Sequence, residues 1–113
     1  MATIKSCTDL PQSKVLAEFL PLESADMYWW PTSLRYYIEA MDDGDFNEKE
    51  GHIRAWSLAA LLRVLPNGIV MNKDSQNGRY HFSSKYVGTY VTADNPIDAC
   101  VEMILKLHEQ KLL

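Results

Sequence analysis

The sequence predicts an α+β fold: a single antiparallel sheet of four to five strands with three helices, in the order α-β-β-α-β-β-β-α. Three observations carry it. Residues 95–113 hold an apolar stripe at helical spacing. Residues 24–41 hold two aromatic-rich alternating runs about a short turn, and residues 53–64 are apolar around most of a helical circumference. Helices set between hairpins pack onto one face of an antiparallel sheet. The 113 residues, 47% hydrophobic and 23% charged, suffice for one hydrophobic core without staples, so residues 1–113 are expected to form a single domain.

The first helix is predicted over residues 11–20, with Val15, Leu16, Phe19 and Leu20 as its apolar face and Pro21 preventing continuation. A strand follows over 24–30, where Ala25, Met27 and Trp29 alternate with Asp26 and Tyr28. Pro31, Thr32 and Ser33 make the turn. Residues 34–41 alternate again, placing Leu34, Tyr36, Ile38 and Ala40 on one face of a hairpin. Gly44 and Gly51 mark the next segment as a loop. The second helix is predicted over 53–64, ended by Pro66, Asn67 and Gly68. Residues 69–73 read as a strand, and the turn at 75–78 contains Asn77-Gly78, a pair suited to positive φ. Residues 79–83 and 86–92 continue as two strands, or as one long strand bent near Ser84.

Asn95 caps the last helix, and Pro96 suits its first position because the missing N–H would be unpaired there. Asp98 and Glu102 lie early and Lys106 and Lys111 late, an order that complements the helix dipole. The predicted core comprises Leu16, Phe19, Leu20, Trp56, Ala60, Leu61, Val64, Cys100, Val101, Ile104 and Leu107.

The net charge of −4 is unevenly distributed. Residues 39–50 carry six carboxylates against Lys49, a local balance of −5, which leaves +1 for the rest of the chain. Repulsion within this segment opposes burial, so its carboxylates are expected to be solvated, with Phe46 as the anchor that folds back onto the body. No apolar run approaches the roughly 18 residues of a membrane span, and residues 1–7 lack the apolar stretch of a signal peptide. A cytoplasmic location is the resulting expectation, with Cys7 and Cys100 as two reduced thiols.

Three blocks, at residues 20–27, 55–66 and 94–113, together resemble a group of short proteins encoded by gut-anaerobe genomes, often within prophages or other mobile elements. The first reads Leu-Pro-Leu-Glu-Ser-Ala-Asp-Met. The second reads Ala-Trp-Ser-Leu-Ala-Ala-Leu-Leu-Arg-Val-Leu-Pro. The third is the whole C-terminal helix pattern from Asp94. The resemblance implies a genomic setting and carries over no catalytic or binding residue.

Recognised chemical signatures are missing. Asp43, Asp45 and Asn47 match the first, third and fifth ligand positions of an EF-hand loop. Glu48 stands where that loop needs its glycine, however, and Arg54 where it needs its bidentate glutamate. His52, His81 and His108 have no neighbour at zinc-ligand spacing, and no nucleophile elbow or phosphate-binding loop occurs. No cofactor or metal is therefore expected. Arg79, Tyr80, Phe82, Lys85, Tyr86 and Tyr90 interleave bases with rings as a single-strand nucleic-acid platform would, but a pI near 5.2 opposes phosphate attraction.

Protein binding has positive support. Tyr28, Trp29, Trp30, Tyr36 and Tyr37 fall within ten residues of one hairpin, and strand neighbours face opposite ways, so one core cannot hold all five. The candidate interaction surface is Tyr28, Trp30, Tyr37, Asp42, Asp43 and Asp45, for a protein partner or a second copy in a homodimer. The expected function is a non-enzymatic accessory protein of a prophage or mobile element that binds another protein. The alternatives are a small hydrolase or transferase using Cys7 or a histidine with the acidic loop, and a single-strand nucleic-acid binder.

Overall fold

The computed structural model describes residues 5–41, 45–84 and 88–113. Helix α1 (Leu10–Leu16) starts at a reciprocal cap: Asp9 accepts the backbone N–H of Gln12, and the Gln12 side chain accepts that of Asp9. The helix ends four residues earlier than predicted. The backbone tightens as Glu18 and Phe19 donate to carbonyls three residues back, turning the chain before Pro21.

Strands β1 (Met27–Pro31) and β2 (Tyr36–Ala40) form the predicted hairpin, with Trp29 opposite Ile38 and Trp30 opposite Tyr37. Leu34 belongs to the turn rather than to the strand and is 90% exposed. Residues 53–55, predicted as the first turn of the second helix, are instead strand β3 (Ile53–Ala55), antiparallel to β1. The reason lies one step further on. Ser57 caps helix α2 (Leu58–Val64) by accepting the Ala60 N–H, and Asp26 holds both the Ser57 backbone N–H, at 2.9 Å, and its hydroxyl. The helix cannot begin upstream of that clamp.

Strands β4 (Ile69–Lys73), β5 (Tyr80–Ser84) and β6 (Tyr90–Ala93) make a separate antiparallel meander. The fold is thus α+β with three helices, but the single sheet of four to five strands is corrected to two sheets of three, ordered β2-β1-β3 and β4-β5-β6. Adding β3 to the first hairpin completes one sheet, and helix α2 then separates it from the second.

Helix α3 (Pro96–Glu109) begins at Asn95 as predicted, its side chain accepting the Asp98 N–H. It stops short of residue 113. Lys111 adopts a left-handed φ of 61°, and Leu112 donates to the Leu107 carbonyl, closing the helix end. Ile97, Cys100, Val101, Ile104 and Leu107 are buried together with Leu16, Leu20, Trp56, Ala60, Leu61, Phe82 and Val91; Phe19 and Val64 pack at the margin. Trp56, fully buried, ties this core to the N-terminal segment. Its indole N–H donates to Ser24 Oγ at 2.9 Å, its backbone N–H to Thr8 Oγ1 at 3.1 Å, and its carbonyl accepts the Thr8 N–H at 2.9 Å.

A second tether closes the N-terminal segment onto α3. Lys5 Nζ lies 2.7 Å from Asp98 Oδ1 and 2.9 Å from Asp9 Oδ2, while Gln12 and Asn95 side-chain amides also donate to Asp98. The Cα radius of gyration, 14.7 Å, exceeds the roughly 13 Å expected for this length, as suits a body carrying an arm. That arm is the β1–β2 hairpin. Among the described residues, β2 pairs with β1 alone.

Candidate functional site

The arm carries rings on both faces because its two strands place neighbouring aromatics on opposite sides. One face holds Tyr28, Trp30, Tyr37 and Glu39 with Arg54 and His52. The other holds Met27, Trp29, Ile38 and Ile53. On the first face Tyr37 stacks on Trp30 with centroids 5.0 Å apart, and the Arg35 guanidinium lies 4.6 Å from the Tyr37 centroid. On the second, Trp29 donates its indole N–H to the Thr8 carbonyl at 3.0 Å, which seats that face on the N-terminal segment.

Of the six residues predicted to form the surface, Tyr28 requires correction. It is 3% exposed, stacked on His52 at 5.1 Å and edge-on to Phe46 at 5.7 Å. The acidic segment itself covers this ring. Phe46 returns onto the body, and a single 3-10 turn (Glu48–Glu50) capped by Asn47 brings His52 over the sheet. His52 Nδ1 accepts the Asn47 N–H at 3.0 Å, and Glu48 pairs with Arg54 at 2.7 Å. Trp30 is half-buried, Tyr37 is 36% exposed, and Asp45 is exposed beside Glu48 and Glu50. Asp42 and Asp43 lie outside the described residues. Leu34 and Tyr36, absent from the predicted set, extend the exposed surface to the hairpin tip; the alternation over 34–41 places Leu34 on the strand and so conceals its exposure.

Of the residues considered for chemistry, His52 joins the acidic segment, its Nε2 3.9 Å from Glu50 Oε2. Cys7 and Cys100 are both buried and unpaired; burial pushes the Cys7 thiol up and the Cys100 thiol up to about 12, so neither ionises readily. His108 stacks flat on Phe19 at 3.7 Å. His81 sits on β5 between the Tyr90 hydroxyl, bonded to Nδ1, and Asp74, whose Oδ2 is 3.6 Å from Nε2. Carboxylate, imidazole and phenol in line can relay a proton. Tyr90 is 53% exposed, however, so the phenol end of the relay lies open to solvent. Among the described residues, no group of three or more His, Cys, Asp or Glu is placed to hold a metal ion, and no helix is long and apolar enough to cross a membrane.

The rings proposed for nucleic-acid stacking are divided between faces. Phe82 is buried, in register with Val91, whereas Tyr90 faces the opposite side with His81; Lys85 and Tyr86 lie outside the described residues. A groove of about 540 Å³ runs past Phe19, Pro21, Val64 and His108, lined mostly by apolar atoms. Comparison with known proteins adds no assignment: no family model, no curated protein and no solved structure matches the chain.

Proposed function

We propose that this protein is a non-enzymatic protein-interaction module whose working surface is the β1–β2 arm. The observation that carries the reading is an edge strand, β2, with no neighbour on its outer side among the described residues, with Tyr36 and Tyr37 exposed along it and Leu34 exposed at the adjoining turn. Such an edge is a template for pairing, and long apolar edges are ordinarily blunted. Aromatic side chains held rigid by stacking make good anchors, because little rotamer freedom remains to be lost on binding. The acidic carboxylates beside the arm add charge selection and favour encounter with basic surfaces.

Affinity capture with paired variants tests this. A Leu34→Asp/Tyr37→Ser protein alters only exposed arm residues and is expected to lose the partners retained by wild type. Met71→Ser, on the exposed edge strand β4, is expected to keep them. Identical partner sets for the arm variant and wild type would overturn the proposal.

A further inference from the structure

The hydrogen-bond phase of β2 can be read from its two ends. Thr32 donates to the Arg35 carbonyl and Met41 donates to the Asp26 carbonyl, both at 2.8 Å. Bonded and non-bonded pairs alternate in an antiparallel ladder. Arg35, Tyr37, Glu39 and Met41 therefore turn their backbone groups toward β1, while Tyr36, Ile38 and Ala40 turn theirs outward. The outer edge offers three N–H donors and three carbonyl acceptors.

We propose that this edge pairs with the same edge of a second copy of the chain, antiparallel, about a two-fold axis through Ile38. The inference rests on the arm being the interaction surface and names its occupant. In this register Ile38 faces the partner's Ile38 and Tyr36 faces the partner's Ala40, so all outward groups of both strands are bonded. Shifting the axis to Tyr37 or Glu39 drives one of the three pairs beyond the strand end.

Charge selects the same arrangement. Glu39 falls opposite the partner's Tyr37 and diagonal to the partner's Arg35, on the face where Arg35 already overlies Tyr37. The described part of the acidic segment, residues 46–51, crosses over β1 and β3, where Phe46 meets Tyr28, Glu48 pairs with Arg54 and Gly51 adjoins Pro31, so in the joint sheet it lies away from the β2–β2 seam. The strand is only lightly guarded against such contacts: residues 36–40 contain no Pro and no Lys, and their single charge, Glu39, is the one that meets the partner's Arg35, whereas the exposed edge strand β4 ends in Lys73. The contact is isologous, as two-fold dimers require, and gives a six-stranded sheet ordered β3-β1-β2-β2-β1-β3. Pairing of two five-residue strands is at the small end of specific interfaces, so the dimer is a weak, concentration-dependent one.

Sedimentation of the full chain, with two variants, decides the matter. Wild type is expected to shift from monomer to dimer below a concentration on the order of 1 mM. Ala40→Pro deletes an outward donor and leaves the β1 ladder bonded, so it is expected to remain monomeric with an unchanged circular dichroism spectrum. Ile38→Cys is expected to form a disulfide-linked dimer on mild oxidation, because Cα atoms of a bonded antiparallel pair lie about 5.5 Å apart. Tyr37→Cys, offset from its own copy by two residues, is not. A monomeric wild type, dimerisation of Ala40→Pro equal to wild type, or equal cross-linking at both cysteines would overturn the inference. If the protein stays monomeric while the Leu34→Asp/Tyr37→Ser variant still loses its captured partners, the second copy is excluded and the arm keeps its interaction role.

Discussion

Replacing Asp98 with Asn isolates the tether between the N-terminal segment and α3. Asp98 accepts Lys5 Nζ at 2.7 Å, Gln12 Nε2 at 2.8 Å and Asn95 Nδ2 at 2.7 Å. Hydrogen bonds to a charged group contribute about 1.5–3 kcal/mol each when buried. Here the Lys5 and Asp98 side chains are 23% and 34% exposed, and solvent screening reduces that figure. Asparagine keeps one acceptor oxygen but brings its own NH₂ toward that of Asn95, and the favourable charge in the first turn of α3 is lost. The expected cost is about 1–2 kcal/mol at neutral pH.

The pH dependence is the sharper test of the same tether. Burial works to raise the Asp98 pKa, but the bonds from Lys5, Gln12 and Asn95 outweigh it and hold the carboxyl below its ordinary value. The stabilisation is thus complete above the unfolded pKa of about 3.9 and is lost as pH falls through the lower folded pKa. Lys5 behaves in the opposite sense. Burial opposes its charge, yet the bonds to Asp98 and Asp9 raise its pKa, so its contribution persists below the unfolded value of about 10.4 and disappears as pH rises through the folded one. Urea unfolding of wild type and Asp98→Asn across this range should show the difference shrinking below about pH 4. A difference that stays constant from neutral pH to well below that point would refute the electrostatic account.

Three further outcomes are expected. Phe82→Ala, which empties a position 1% exposed between the second sheet and the core, should cost about 3–5 kcal/mol in denaturant unfolding; a cost below about 1 kcal/mol would contradict its placement. Gly51→Ala should cost about 1–2 kcal/mol, because φ is +84° and the new Cβ would stand 3.2 Å from Pro31 Cγ. Trp30→Phe and Trp56→Phe should diverge in thermal melts. Among the described residues the buried Trp30 indole N–H has no partner, so its removal offsets the lost ring area to within about 1 kcal/mol, whereas Trp56→Phe orphans a bond to Ser24 and should cost about 2 kcal/mol or more. Equal costs would contradict the contrast.

Local signals in the sequence proved reliable where the cause is local. Asn95-Pro96 announces the start of α3, and the stripe through Cys100, Ile104 and Leu107 names its buried face. The hairpin turn after Pro31 is equally readable. Failures came where tertiary partners decide. Ile53 to Ala55 are apolar enough for either a helix or a strand, and their pairing with β1 depends on residues more than twenty positions away. The division into two sheets likewise depends on long-range pairing that no alternation pattern encodes. The excess of five rings over one core points Tyr28 to the surface. The cover comes from Phe46 and His52: the expected anchor lands on this ring, a long-range contact that no local pattern encodes. Asp45, Glu48 and Glu50 are exposed and Phe46 folds back onto Tyr28, as the charge pattern leads one to expect, while Asp42 and Asp43 lie outside the described residues.

The bond from Lys5 to Asp98 spans 93 positions of sequence. On a translating ribosome the lysine emerges first and must wait for its acceptor, an interval of roughly five to twenty seconds at common elongation rates. Over that interval the helix that supplies Ile97, Cys100, Ile104 and Leu107 does not yet exist, and the apolar side chains it will cover have no lid. The hairpin arm, by contrast, closes between residues only a few positions apart and can form early. The nascent chain therefore displays a finished edge strand and an unfinished core together. Prolonged translational pauses between β6 and α3 should accordingly be the ones that cost yield.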